Sequence, residues 1–348
     1  MFARLILLVG AGSLALVLGG TIVVVLLHGL IPYERVVEGF LSPEARVLLY
    51  AGLAMGILAI LMGFTRYRSM PTKRSREHAI AGAVLGLQAA ILGAILLLFR
   101  EAGDPERVIF HFFNFGVFEG YGWTLFAKAA SNTLILAFVG ELGGIVLGLL
   151  LAVLALSKRA VVRAPARVYI NFFRGTPLIW QLTAFYFGLA LGLDIHLEIN
   201  LGPIDFGTAY VTGMIVFILN TAAYAAEVFR AGIQSIERGQ IEAARSLGMT
   251  YPQSMRHAIV PQAIRRVIPP LMNEFVILIK DTALISVLGL AASEYDLFTL
   301  AKEGYSETFN STFFTAAAAG YLVVTLPLIR AVNAVERRVR SGLVTVTS

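Results

Sequence analysis

Five side chains interrupt long apolar runs and are the first candidates for chemistry. Asn220, Tyr224 and Glu227 lie in "NTAAYAAEVF", and Lys280 and Asp281 lie in "VILIKDTALI". The first three fall at i, i+4 and i+7, on one face of a helix. A charge inside an apolar run is costly, so such a residue is a functional candidate by default. Carboxylates can hold an ammonium group, and a lysine or a helix N-terminus can hold a carboxylate. Structural readings stand beside these. Lys280 and Asp281 could neutralise each other, Tyr224 could pack, and Glu227 could pair with Arg230 at an interface. Glu141 is a sixth case, in "GELGGIVLG", where Gly140, Gly144 and Gly148 form a stripe suited to close helix packing. A packing role and a role in ligand choice both stay open for it. No Walker A pattern, HExxH or Ser/His/Asp constellation occurs. The five histidines lack ligand spacing and there is no cysteine, so the sequence predicts no metal site and no disulfide.

The elements that carry these residues are hydrophobic spans. The chain has 348 residues, of which 57% are hydrophobic and only 14% charged, with a mean hydropathy of +0.78. Soluble domains carry about 25% charged residues. Eight runs reach the roughly 20 apolar residues needed to span a bilayer: Leu5–Leu30, Val47–Phe64, Ala79–Phe99, Lys128–Leu156, Ile170–Leu193, Phe206–Phe229, Ile268–Ala292 and Phe313–Val335. The first run exceeds the ~7–15-residue core of a signal peptide and has no cleavage site in a polar context, so it reads as a retained helix.

The net charge of +6 is concentrated in alternate loops, which makes it a topology signal and not a nucleic-acid footprint. Arg66–Arg76 contains five basic residues and "SKRAVVRAPAR" four, while "DIHLEINLGPID" and "SEYDLFTLAKEGYSE" lean acidic. The positive-inside rule then predicts that the basic loops and both termini are cytoplasmic. The expected layout is three N-terminal helices in 1–100, an external linker in 101–120, a five-helix block in 121–340, and a cytoplasmic tail in 341–348.

One basic stretch, "QIEAARSLGMTYPQSMRHAIVPQAIRRVIPP", lies between two apolar spans. "QIEAARSL" is about two turns of good helix formers, and Gly248 stands where a helix end takes a left-handed residue. Thr250 and Gln253 fit a capping box with Pro252 in the first turn. Pro261, Pro269 and Pro270 are expected to break the returning helix. The caps predict a short ordered helix at the cytoplasmic surface that docks a partner. "RGTPLIWQL" predicts that Thr176 caps and Pro177 starts the fifth span, with Arg174 at the inner surface.

"EAARSLGMTYPQSMRHAIVP" resembles the EAA loop of ABC importer permeases: Glu242, Ala243, Ala244, Gly248 and Pro261 match, while Ala258 and Val260 depart conservatively. "FFRGTPLIWQL", "NTAAYAAEVFRAGI" and "KDTALISVLGL" resemble, in the same order, motifs of the polar amino acid subfamily. The likeness runs from about Tyr121 to Arg340. It implies an all-α polytopic membrane protein with a type I ABC importer permease core of five helices, preceded by three extra ones. Residues 234–266 would be the coupling-helix loop, with Ala243 and Ala244 allowing close approach and Glu242 available to a basic partner.

The resemblance further implies a permease subunit in a bacterial inner membrane that imports amino acids. Its expected partners are a second permease subunit (a heterodimer is favoured), two ATP-binding cassette subunits that hold the ATP and Mg, and an extracytoplasmic amino acid-binding protein. The chain itself would hydrolyse nothing. An amino acid is a zwitterion, and Asn220, Tyr224, Glu227, Lys280 and Asp281 offer groups for both of its charges. The rival readings are an ATP-independent secondary transporter or ABC import of an opine or quaternary amine.

Overall fold

The computed structural model describes residues 2–29, 32–119, 121–201 and 204–344. Leu30 at the end of the first predicted span, Gly120 in the predicted linker, Gly202 and Pro203 in the acidic loop, and tail residues 345–348 lie outside the described residues. The described chain is almost wholly helical, and six of its helices are long and apolar enough to cross a membrane. It divides into two compact units, Met1–Tyr121 with Glu307–Thr315, and Gly122–Ser306 with Ala316–Ser348.

The first unit is built on α1 (Phe2–His28), α3 (Pro43–Arg66) and α4 (Lys73–Ala102). What these helices bury is mostly small. A Cβ on Gly10 would strike the Gly82 carbonyl, and one on Gly86 would lie 2.7 Å from the Gly56 carbonyl, so the backbones touch directly. Leu8, Leu27 and Phe64 are exposed on the outside. Small residues inward and large apolar residues outward is the arrangement of helices packed in lipid, where apolar burial supplies no driving force between them. Two short amphipathic helices, α2 (Tyr33–Leu41) and α5 (Pro105–Phe113), complete this unit. The buried Arg100 guanidinium donates to the Phe40 and Leu41 carbonyls at the end of α2, satisfying acceptors that a helix end leaves free. Tyr121 donates to Glu307; burial and that carboxylate push its hydroxyl up to about 12.

The second unit is organised around α9 (Thr208–Gln234), which is buried along most of its length against α6 (Trp123–Ala155). Tyr210, Phe217, Leu136, Leu182 and Ile279 are fully buried in the main core. Phe206 ends a two-stranded hairpin (Ile199–Leu201 paired with Ile204–Phe206) and stacks on Tyr210 at 4.0 Å. The Tyr210 hydroxyl donates to the Asn132 carbonyl at 2.6 Å, and Asn132 Nδ2 donates to the Ser293 and Tyr295 carbonyls at 3.1 and 3.0 Å. Asp296, fully buried, accepts the Phe298 and Thr299 amides at 3.0 Å and the Tyr321 hydroxyl at 3.1 Å, capping the start of α12 (Leu297–Thr308). The final helix is α13 (Thr312–Val344).

Two predicted spans take a different form from simple apolar helices. Ile170–Leu193 contains the end of an amphipathic helix, α7 (Ala160–Gly175), and a short apolar helix, α8 (Leu178–Ala190). Pro177 forces its predecessor out of the helical region, so Thr176 is extended at φ −110° and the helix stops. Thr176 does not cap α8: its hydroxyl donates back to Phe172 O at 2.9 Å, and Pro177 holds the cap position. The other is Ile268–Ala292, which enters on α11 (Val260–Asp281) and leaves through a tighter turn, Thr282–Val287.

The three prolines do not break the returning helix as expected. Pro261 falls in the first turn of α11 after a widened turn at Met255–Ile259, where its missing N–H costs nothing. Pro269 and Pro270 sit inside α11, where packing holds the helix across them.

Candidate functional site

A cavity of about 380 Å³ opens between α9, α11 and the break before α8. Asn220, Tyr224, Asn273, Glu274, Asp281 and Thr176 contribute its polar lining. The volume falls in the range of small-molecule pockets. The lining is apolar with a few convergent polar groups, two of them carboxylates.

Each polar group is positioned by the fold. Asn220 Nδ2 donates to Gln181 Oε1 at 3.0 Å. Gln181 is fully buried, and its amide donates to Phe173 O at 2.8 Å, Thr176 Oγ1 at 2.9 Å and Thr176 O at 3.1 Å. One side chain therefore satisfies carbonyls freed by the helix break and orients Asn220 toward the cavity. Tyr224 lies beneath the Arg174 guanidinium, 5.5 Å from its ring centroid, a separation at which the ring face attracts the cation. Glu274 and Asp281 are seven residues apart on α11, two turns along one face.

Three of the five predicted site residues, Asn220, Tyr224 and Asp281, line this cavity. Glu227 does not. It accepts from Arg230 Nη2 at 2.6 Å and from Arg230 Nε at 3.1 Å, with Arg174 Nη1 at 3.9 Å, so its charge is neutralised beside the cavity. Lys280 is exposed and makes no ion pair with Asp281 among the described residues. Residue 280 follows Ile279, which is fully buried, and one step along a helix turns the side chain away by about 100°. The local ion-pair reading of Lys280 and Asp281 is therefore not what forms. Sequence reasoning missed Glu274 and gave Arg174 only a structural place. The first was legible from its seven-residue spacing to Asp281, the second from its place in the loop motif.

Glu141 is 7% exposed, and neither carboxylate oxygen has a hydrogen-bond partner among the described residues. It faces an apolar groove shared with Leu271, Met272 and Phe275 of α11. The glycine stripe around it does allow close packing: a Cβ on Gly144 would lie 2.5 Å from Thr221, and one on Gly148 2.7 Å from Ala225.

The basic insert forms α10 (Arg238–Ser246). Gly248 has φ +85°, and the Met249 amide reaches back to Ala244 O at 3.3 Å, a left-handed helix end that favours glycine. Gln253 Oε1 accepts from the Thr250 amide at 2.8 Å, but the Thr250 hydroxyl also donates to it, so only the glutamine half of the capping box forms. Glu242, Ala243 and Pro261 are exposed. Ala244 is buried at 6% exposure against its own chain, so of the two alanines only Ala243 presents its methyl outward. Leu247, 80% exposed, is an apolar contact point that sequence reasoning passed over.

Residues 144–341, more than half of the chain, match the family described as binding-protein-dependent transport system inner membrane component. A putative glutamine transport system permease protein of Rickettsia typhi is 38% identical over 196 residues, covering 56% of this chain and 84% of that protein. An arginine transport system permease protein of Corynebacterium glutamicum is 34% identical over 237 residues, covering 64% and 74%. Among solved structures, the crystal structure of an amino acid ABC transporter with histidines aligns with a TM-score of 0.54 at 36% identity, over 62% of this chain and 94% of that one.

Proposed function

The chain belongs to the binding-protein-dependent transport system inner membrane components, and from that premise we propose that it carries amino acids into the cytoplasm through the cavity between α9 and α11. It is the non-ATPase membrane subunit of an ABC importer with a type I permease fold. Partner ATPase subunits supply the energy and a substrate-binding protein supplies the cargo.

The observation that carries the substrate reading is the cavity's charge arrangement. Asp281 or Glu274 is available to an α-ammonium group, and Arg174, which stands over the cavity-lining Tyr224, would offer a guanidinium to an α-carboxylate in the bidentate manner such groups favour. Asn220, fixed by Gln181, adds a directional donor or acceptor. Lys280 and Glu227 take roles outside the cavity in this reading: the first is exposed and the second is an ion-paired brace for Arg174 and Arg230.

The coupling role falls to α10 and the turn after it. Glu242, Ala243, Leu247 and Gly248 are exposed in one short segment, Pro261 is exposed in the first turn of α11, and the left-handed Gly248 fixes the direction in which the segment ends. Ala244 supports it from beneath. The whole loop 234–266 would seat in a groove of the ATP-binding subunit.

The domain layout read from the sequence fits the same proposal: three helices in 1–100, an external linker in 101–120, a five-span core in 121–340 and a tail in 341–348, giving eight spans in all. In it α8 and α11 supply the spans that are not simple long apolar helices. Both termini lie in the cytoplasm of a bacterium, and a second, non-identical permease subunit completes the pathway.

The test is reconstitution. The chain is co-expressed with its neighbouring permease and ATPase genes, purified and placed in proteoliposomes with the binding protein. Amino acids should raise ATP hydrolysis and enter the vesicles only when binding protein and ATP are both present. Uptake that proceeds at full rate without ATP would overturn the proposal.

A further inference from the structure

The first unit gathers unpaired cations at one end. Arg4 lies in the first turn of α1, Arg66 closes α3, Arg68 follows it, and Lys73, Arg74 and Arg76 lie in the first turn of α4. These helix ends meet. The Arg66 guanidinium stands 5.4 Å from the Phe2 ring centroid, and Ala3, Ile6, Met70 and Ala79 form one buried cluster. All six cations are exposed, and none has an ion pair among the described residues. One carboxylate, Glu77, stands among them. The opposite end of the same helices differs: there Glu101 pairs with Arg46 at 3.0 Å and with Arg100 at 3.4 Å.

The loop that carries most of these charges is held in one shape. Met70 is buried, and its carbonyl accepts from Arg76 Nε at 3.1 Å. Thr72 and Ser75 cap α4 reciprocally, at 3.2 and 3.3 Å. Lys73 and Arg74 are thereby fixed at the start of a helix, where the dipole disfavours positive charge. Like charges crowded against so little acid repel, and an anion offsets them. Beside the cations runs an exposed apolar collar of Leu5, Phe64, Tyr67 and Ile80, each within about one helical turn of a basic residue. A soluble phosphate or an acidic protein surface would answer the charge and leave the collar uncovered. A phospholipid with an anionic headgroup answers both, since its charge and its acyl chains come in one molecule.

We propose that this end of the N-terminal unit is a binding site for an anionic phospholipid, with the headgroup at the cations of residues 66–76 and the acyl chains along the apolar collar. On the topology read from the sequence, that lipid belongs to the cytoplasmic leaflet. The site gives the three helices that precede the core a role of their own. It depends on the unit's crossing a bilayer and not on the amino-acid importer reading, which stands or falls separately.

The experiment places a fluorophore on Ser69→Cys, a single cysteine in this cysteine-free chain, so that the signal is local. The purified permease–ATPase complex in detergent is titrated with phosphatidylglycerol or with phosphatidylcholine. Phosphatidylglycerol should bind at least about tenfold more tightly, and high salt should shrink the difference. Arg68→Gln with Arg74→Gln should weaken phosphatidylglycerol by about fivefold per charge, or about twenty-five-fold together, and leave phosphatidylcholine unchanged. Arg68→Lys with Arg74→Lys should keep the preference. Lys158→Gln with Arg159→Gln removes the same net charge from another basic loop and should also keep it. Equal wild-type binding of the two lipids, or equal loss in both glutamine pairs, overturns the inference. An unchanged lipid preference in Arg68→Gln with Arg74→Gln, together with loss of the ATPase subunit from the purified complex, would assign these cations to a protein contact and also overturn it. Should that pair fail to assemble, the wild-type comparison and its salt dependence still decide.

Discussion

Replacing Gln181 by leucine tests whether the break between α7 and α8 is held by one buried amide. Leucine keeps most of the volume and removes every polar contact. Phe173 O and the Thr176 backbone and hydroxyl oxygens lose their donor, and Asn220 Nδ2 loses its 3.0 Å acceptor. An amide has only two N–H donors, so the three short contacts it gives represent about two full bonds, and Asn220 adds a third. Polar contacts within membrane bundles average about 0.6 kcal/mol and those in soluble proteins about 1. Three such bonds give a destabilisation of about 2–3 kcal/mol. Asn220 keeps only a 3.4 Å contact with Phe173 O, so its orientation in the cavity also relaxes. The assay is thermal unfolding of the purified complex together with uptake half-saturation, for Gln181→Leu, Asn220→Ala and the double variant. Because the two residues share a bond, the double variant should cost less than the single effects added together. Gln181→Glu separates the halves, since it keeps an acceptor for Asn220 while setting a carboxylate against two carbonyls. Wild-type melting and uptake in Gln181→Leu, or full additivity in the cycle, would refute the clasp.

Three further outcomes follow from the geometry. Gly248→Pro or Glu242→Lys should abolish uptake while membrane insertion, checked by fractionation, stays normal; uptake at the wild-type rate in both would remove the coupling role from this segment. Single cysteines placed in Arg66–Arg76 of this cysteine-free chain should resist an impermeant thiol reagent in intact cells, and those in Asp194–Asp205 should react; the reverse pattern would invert the topology. Asp281→Asn should raise the half-saturation for uptake by about tenfold or more, whereas Glu227→Gln should change it less and lower thermal stability by loosening Arg230; an unchanged half-saturation in Asp281→Asn would place the substrate elsewhere.

Local chemistry was legible where a residue's role is set within one turn of its own helix. The left-handed bend at Gly248 and the shared face of Asn220 and Tyr224 both follow from spacing. The eight apolar runs were countable, and six of them are long helices. What the sequence concealed depended on residues far apart in the chain. Gln181 and Asn220 are 39 positions apart, and nothing in either neighbourhood announces their bond. Lys280 and Asp281 are adjacent in sequence yet point to different surroundings, so adjacency suggested a pair that the helix separates. Pro177 did announce a break, but the apolar run through it masked the signal. Proline position misled in the opposite sense at Pro269 and Pro270, because tertiary packing overrides the helix-breaking tendency there. The cavity-facing place of Glu274 was within reach, since a carboxylate two turns before Asp281 must share its face.

The Arg266 guanidinium donates to the Ser235 carbonyl, and a Cβ on Gly232 would collide with Val267, so α9 and α11 are fastened together where the segment 234–266 leaves the one and joins the other. Those two helices also carry Asn220, Tyr224, Asn273, Glu274 and Asp281. A push on the loop therefore cannot pry the two walls apart like jaws; it turns them as one plate. The surfaces left to slide against that plate are the break before α8 and the Arg174 end of α7. On the importer reading, access to the cavity is expected to change by shear across Gln181–Asn220 and Arg174–Tyr224. A disulfide between cysteines at 235 and 266 should leave uptake intact, while one that ties 176 to 224 should stop it, and cross-linked complexes assayed in vesicles would show which seam moves.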